Sequence, residues 1–142
     1  MQTITIRRLG PEDLTVLQNV AEDVFDNPVD MKLAKAYLAA PHMALWVALE
    51  GDLVVGMASA MIYWHPDKPR EGWVNEVGVA PSHQRQGIAT RLMGAVLDWA
   101  KAEGLVSLWL ATETDNGPAR ALYRSLDGRE DAEVVYFGWL DG

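Results

Sequence analysis

The chain contains no cysteine, which excludes disulfides, thiolate metal sites and any acyl-cysteine intermediate. No apolar run approaches the roughly 20 residues that a membrane-spanning helix needs. The first residues, MQTITIRRLGPEDL, lack the basic-then-apolar order of a signal peptide, so a cytoplasmic location is expected and no membrane partner. Basic residues are few: 12 Lys and Arg stand against 20 Asp and Glu, a formal net charge of -8. Such a balance disfavours nucleic acid, which asks for a Lys/Arg stripe, and favours cationic partners. The three histidines, His42, His65 and His83, lie far apart and show no ligand spacing, so no metal is expected. There is no Gly-Lys-Ser/Thr, no three-glycine dinucleotide fingerprint and no Gly-x-Ser-x-Gly elbow.

At 142 residues the chain is the size of one domain, 1–142, with a single core. Residues 3–9 alternate like a strand. Residues 10–25 follow as a helix, with Pro11 at its start, acids in its first turn and Leu14, Leu17, Val20, Ala21 and Val24 at helical spacing. DNPVD breaks that helix, and Asp30 caps a second over 31–40, which Pro41 stops. The apolar runs 43–50 and 53–64, parted by Gly51-Asp52, read as an antiparallel hairpin. HPDKPREG, 65–72, reads as a loop flanked by Trp64 and Trp73, which could edge a pocket. A strand over 73–81, a helix over 87–104 and a buried strand over 105–112 make a parallel unit. The helix carries Ile88, Leu92, Met93, Val96, Leu97 and Ala100 on one face and stops at Gly104. A short helix over 115–126, with Asn116 and Pro118 at its start, and a last strand over 132–140 complete an α+β chain whose mixed central sheet is flanked by helices.

The segment Gln84-Arg85-Gln86-Gly87-Ile88-Ala89 lies between a strand end and a helix start. Several backbone N–H groups have no intrahelical partner there, and the helix dipole supplies about half a positive charge. Gly87 lets an anion approach the backbone, Ala89 keeps the next turn small, and Gln84, Arg85 and Thr90 offer side-chain donors. Read alone, the segment is either an ordinary strand-to-helix turn or a phosphate cradle.

In company it resembles the GNAT superfamily of acetyl-CoA-dependent N-acetyltransferases. The likeness lies in the Gln/Arg-x-x-Gly-x-Gly/Ala motif at Gln84 to Ala89, the strand NEVGVAP before it, and the Asn, Ala and Tyr spaced along TDNGPARALYRSLDG. The resemblance implies the GNAT fold and acetyl-CoA as cosubstrate. It places the pyrophosphate on Gln84, Arg85, Gln86, Gly87, Ile88, Ala89 and Thr90, the pantetheine arm along Val77, Gly78 and Val79, and Asn116 on the cofactor side. Two departures stand out. Asp127-Gly128 replaces the common Gly-Phe, and the tail carries one strand where many relatives have a hairpin. The second makes a homodimer attractive, a neighbouring subunit then completing the acceptor pocket.

The resemblance also makes Tyr123 the acid that protonates the departing thiolate, a transfer consistent with a phenol near pH 10 and a thiol near 8.5. The residue alone reads equally as a core tyrosine. Glu76, inside the apolar WVNEVGV, needs a partner or water. It is either the base that takes a proton from the acceptor ammonium or half of an ion pair with a nearby arginine. With no cysteine or serine nucleophile in view, direct attack of the amine on the thioester is the simplest mechanism, strand amides holding the oxyanion. Glu22, Asp23, Asp26 and Asp30 cluster between the first two helices, where they either line the acceptor cleft with Glu76 or form a solvated face.

Within the superfamily the chain is similar to the gentamicin-type aminoglycoside 3-N-acetyltransferases, through RLGP, QGIAT, the ALY at 121–123, the RE at 129–130 and an acid at Glu76, where that group tends to carry aspartate. This implies a polycationic acceptor acetylated at its 3-amino group. Three rivals stand beside it: another amine (polyamine, amino acid or protein amine) as acceptor, a non-catalytic acetyl-CoA-binding module, and an interaction protein without CoA affinity.

Overall fold

The computed structural model describes residues 3–140, and the chain divides after Leu110 into two compact units. The first is built on β1 (Ile4–Leu9), β2 (Met43–Glu50), β3 (Leu53–His65), β4 (Lys68–Val79) and β5 (Leu108–Trp109), with α1 (Met31–Ala39) and α2 (Ile88–Ala102). The strands lie in the order β1-β2-β3-β4-β5. All neighbours are antiparallel except β4 and β5, which the α2 crossover makes parallel. The expected mixed sheet flanked by helices is therefore present. Among the described residues no helix is long and apolar enough to cross a membrane.

Period-two alternation sends the two sides of each central strand to different helices. On one face, a side chain at Gly56 would meet Ile88 and Leu92 of α2. The buried residues of that helix are Ile88, Leu92, Met93, Val96, Trp99 and Ala100, so Trp99 joins the expected stripe while Leu97 is only half-buried. On the other face Met57, Leu45 and Val47 pack with Leu17, Val24, Ala34 and Leu38 beneath the amino-terminal helices. Asp30 caps α1 as expected, its Oδ1 accepting from the amides of Lys32 and Leu33 at 2.9 and 3.1 Å.

Three elements depart from expectation within this unit. The first helix is a 3-10 segment, Pro11–Gln18, not an α-helix running to residue 25. Two ties break it: Asp13 turns back to the Gly10 amide and to Arg7, and Asn19 and Ala21 exchange backbone bonds with Val54 at 2.9 Å each. The sheet thus captures backbone that the helical spacing assigned to a helix. The segment 65–72 is not a loop but a continuation of the hairpin, with Tyr63 opposite Glu71 and His65 opposite Lys68. The turn shrinks to Pro66-Asp67, and the His65 ring lies 3.6 Å from the Glu71 carboxylate. Finally, β5 pairs with β4 only at Gly72 and Trp73, so the strand expected over 105–112 is reduced to two residues.

In the second unit Asn116 caps α3 (Gly117–Ser125), its Oδ1 accepting from Ala119 at 3.2 Å. Glu130 closes the turn after the helix by accepting from Arg120 and Arg124 at 2.7 Å each, and these two guanidinium bonds hold its carboxyl down at about 2. The strand expected over 132–140 is absent: the segment has no ladder partner among the described residues, and alternation without a partner leaves backbone groups to water.

A close approach fixes one more segment. A Cβ at Gly78 would overlap the Val24 carbonyl, so only glycine lets the 19–26 segment lie on β4. Gly78→Ala is expected to lower stability by about 1–3 kcal/mol. Gly94→Ala, mid-helix in α2 with nothing within 4 Å of the added methyl, is expected to raise it by about 0.5–1 kcal/mol. Urea unfolding of the two variants checks both signs.

Candidate active site

The segment held against Gly78 leads directly to a cavity of about 370 Å³ between β3 and β4 and the amino-terminal helices. Its walls are mostly apolar, with Leu17, Phe25, Val29, Leu33, Leu45 and Met57 among them, and its polar groups are Asp26, Asn27, Asp30, Tyr37, Ser59, Asn75 and Glu76. Glu76 stands in it because of a β-bulge. Ser59 pairs with Glu76 but Ala60 with Val74, leaving Asn75 as the extra residue. A bulge shifts the strand by one position, and a shift of one reverses every side chain. Without it Glu76 would point toward α2.

The environment of Glu76 raises its pKa above the ordinary carboxylate value, first through burial against the cavity wall and then through the negative charge of Asp26. It has no cationic partner among the described residues, so the ion-pair reading of this residue fails. Of the acids expected on the acceptor side, Asp26 and Asp30 line the cavity while Glu22 and Asp23 stand exposed outside its lining. Asp30 is also committed to the α1 cap.

Tyr37 was not legible as a site residue, since MKLAKAYLAA reads as a plain amphipathic helix. Its hydroxyl donates to the Ala44 or Ala60 carbonyl, at 2.8 and 3.2 Å, and burial pushes its pKa up to about 12. It is a neutral strut tying α1 to β2 and β3. Ser59 is the one buried residue classed as polar or charged among the described residues, and register brings it to the cavity.

Beyond Trp73 the other edge of β4 has no strand partner among the described residues. Ala80 donates to Val55 at 2.8 Å, so by alternation the amides and carbonyls of Val77 and Val79 face away from β3, and β5 has already ended its pairing at Trp73. These groups remain available to an extended ligand. At its end the chain enters a second 3-10 turn, Pro81–His83, and then the 84–90 loop. Gly87 is the N-cap of α2, left-handed at φ 76, with open space where a side chain would be. Arg85 is left-handed too, at φ 64. No side chain caps the first α2 amides, so they are free to receive an anion, and a phosphate-bearing group fits.

The expected cradle residues divide by role. Gln84 donates to the Val79 carbonyl at 3.3 Å, fastening the loop to β4. Ile88 is buried against the sheet and offers only its backbone. Arg85, Gln86 and Thr90 are exposed and Ala89 is half-buried. Gly78 owes its missing side chain to Val24, not to a cofactor. His83 is not loose beside the loop: its ring bridges Glu50 at 3.1 Å and Ser82 at 2.7 Å. In the second unit Asn116 is engaged at both ends, by Ala119 and by Thr112 at 3.3 Å. Tyr123 is half-buried, and burial raises its pKa. Among the described residues no three His, Asp or Glu side chains gather as a metal site.

Residues 12–127 match the Acetyltransferase (GNAT) family. The N-alpha-acetyltransferase RimI of Mycobacterium tuberculosis is 33% identical over 127 residues, covering 88% of this chain and 78% of that protein. The human N-acetyltransferase 8 is 31% identical over 108 residues, covering 75% of this chain but 48% of that protein, so the chain spans about half of this relative. In structure, an aminoglycoside acetyltransferase from an uncultured soil metagenomic sample, in complex with sisomicin, superposes with a TM-score of 0.79 at 20% identity, covering 96% of this chain and 95% of that one. AAC(6')-Iy in complex with the bisubstrate analog CoA-S-monomethyl-acetylneamine gives 0.79 at 20% identity, covering 97% and 99%. These neighbours show that the fold is that of GNAT enzymes.

Because the charge of Asp26 opposes ionisation of Glu76, Asp26→Asn is expected to move the Glu76 midpoint toward lower pH. Carbon-13 NMR titration of the side-chain carboxyl in both proteins measures it. An unmoved midpoint would show that the two acids do not sense each other.

Proposed function

The chain belongs to the GNAT acetyltransferase family, and from that premise we propose that it transfers an acetyl group from acetyl-CoA to an amine of a polycationic small molecule in the cytoplasm, with the 3-amino group of an aminoglycoside as the specific acceptor. The observation that carries the reading is the cavity: Glu76 and Asp26 line it together with mostly apolar walls and have no ion-pair partner among the described residues, while the β4 edge that follows Glu76 and the start of α2 are free to hold an extended phosphate ligand.

Acetyl-CoA, when bound, supplies the acyl thioester. The residues do the rest. Asp26 and Glu76 attract the ammonium form of the acceptor, and the raised pKa of Glu76 suits it to remove a proton at neutral pH. Val77 and Val79 offer backbone donors along β4, and the α2 amides with Gly87 hold phosphate charge. Tyr123, kept protonated by its raised pKa, serves as the acid for the leaving thiolate. The aminoglycoside acceptor is supported by the acidic composition and by the sequence likeness at RLGP, QGIAT and ALY.

The likeness to RimI, an N-alpha-acetyltransferase by name, favours a second reading in which a protein amino terminus is the acceptor. Two copies are proposed to form the working unit, supported by the six large apolar side chains of 134–140, each 70–98% exposed.

Release of CoA thiol over gentamicin, kanamycin, spermidine, a lysine peptide and a peptide with a free amino terminus separates these acceptors. Glu76→Gln is expected to lower kcat about 100-fold or more, and Tyr123→Phe to lower it by a smaller factor with KM for acetyl-CoA held. Turnover on the peptides alone would transfer the assignment to a protein amine, and no turnover on any amine would sink it. Sedimentation velocity reads the dimer, which a single monomer boundary at micromolar protein would refute.

A further inference from the structure

The face of the sheet that carries the cavity continues beyond it, past the bulge, to Trp73 and its β5 neighbour. Before the bulge, Trp73 lies on the same face as Glu76 does after it, since Gly72 beside it faces Leu105 and Leu108 on the opposite side. Trp73 stacks on its β5 partner Trp109 with ring centroids 4.1 Å apart. The Trp109 indole N–H donates to the Tyr63 hydroxyl, and that of Trp73 donates to Asn75 Oδ1 at 3.2 Å. Both indole donors are thus spent inside the protein. What the pair presents outward is ring surface, and Trp109 is 49% exposed.

An exposed indole pair held by two hydrogen bonds is an unusual expense for a surface. Its position suggests the use. Asn75, which holds Trp73, is itself part of the cavity wall with Glu76. Along the strand, Trp73 and Glu76 stand opposite Met61 and Ser59, two residues apart on β3, so about 7 Å separates them at the usual rise of a β-strand. Glu71 lies on the far side of Trp73, at the position opposite Tyr63. A carboxylate therefore stands at each end of an aromatic surface whose own indole donors are satisfied, Glu76 without an ion-pair partner among the described residues and Glu71 beside the His65 ring at 3.6 Å. Such a surface attracts positive charge through the ring faces and accepts flat C–H-rich rings by contact. An apolar peptide side chain would gain nothing from the flanking acids, and a free polyamine chain would gain nothing from the breadth of the rings.

We infer that Trp73 and Trp109, with Tyr63 behind them, form a second acceptor subsite that stacks an amine-bearing sugar ring while a neighbouring amine of the same molecule reaches Glu76. This deepens the proposed acetyl transfer and rests on it for the reacting amine, but the stacking itself is a binding event that can be measured without turnover.

The test is isothermal titration of neamine and of spermidine, as ring and acyclic polycations, into the native chain, Trp109→Leu and Trp109→Phe, with melting temperatures recorded for each. Neamine affinity is expected to fall about ten-fold in Trp109→Leu and to return to within a few-fold of native in Trp109→Phe, while spermidine affinity stays unchanged. Equal neamine affinity in native and Trp109→Leu proteins overturns the subsite, as does an equal loss for both ligands or no neamine binding to the native chain. If neamine binds with the expected pattern but no amine is acetylated, the proposed function fails and the subsite stands. In a working enzyme the same substitution is expected to raise KM for neamine about ten-fold with kcat and the KM for acetyl-CoA held.

Discussion

One extra residue in β4 governs the arrangement of the site. The bulge at Asn75 lets Trp73, on one side of it, and Glu76 and Gly78, on the other, share a face of the sheet. A regular strand would put Trp73 and Asn75 on that face and send Glu76 and Gly78 to α2, where a carboxylate would meet buried Leu92 and Val96 without a partner. The same shift sets the backbone phase, so that Val77 and Val79 turn their hydrogen-bonding groups toward the edge that has no strand partner among the described residues.

The rest of the cavity follows from what this face then accepts. Gly78 leaves room for the Val24 carbonyl, the 19–26 segment pairs with Val54, and Asp26 is delivered beside Glu76. The negative charge of Asp26 adds to burial in raising the pKa of Glu76. Tyr37 stiffens the floor by tying α1 to β2 and β3 through the Ala44 and Ala60 carbonyls.

At the other end of β4 the chain leaves backbone donors open at a helix start. The left-handed turns at Arg85 and Gly87 and the uncapped start of α2 leave amides exposed, while Gln84 to Val79 and His83 to Glu50 keep the loop attached to the sheet. An acidic protein can hold a phosphate in this way because the local charge is set by N–H dipoles and not by net composition.

Local chemistry was enough to read several features from the sequence: the Asp30 cap, the Gly51-Asp52 turn, the Gly104 stop and the Gly87 helix start each depend on a few neighbouring residues and stand in the structure as expected. The apolar stripe of α2 and the hairpin of β2 and β3 were legible for the same reason, since periodicity is carried along one segment. What only the tertiary structure decided depends on residues far apart in the chain. Val54 draws Asn19 to Ala21 out of a helix, the β3 and β4 register absorbs the supposed loop at 65–72, and β5 ends after two residues because β4 leaves it. The tail alternates like a strand yet forms none, because a strand exists only when another supplies its hydrogen bonds. The bulge belongs to this second class: nothing in WVNEVGV alone says which residue is extra, and that choice, made by pairing with Ser59 and Ala60, puts Glu76 in the cavity.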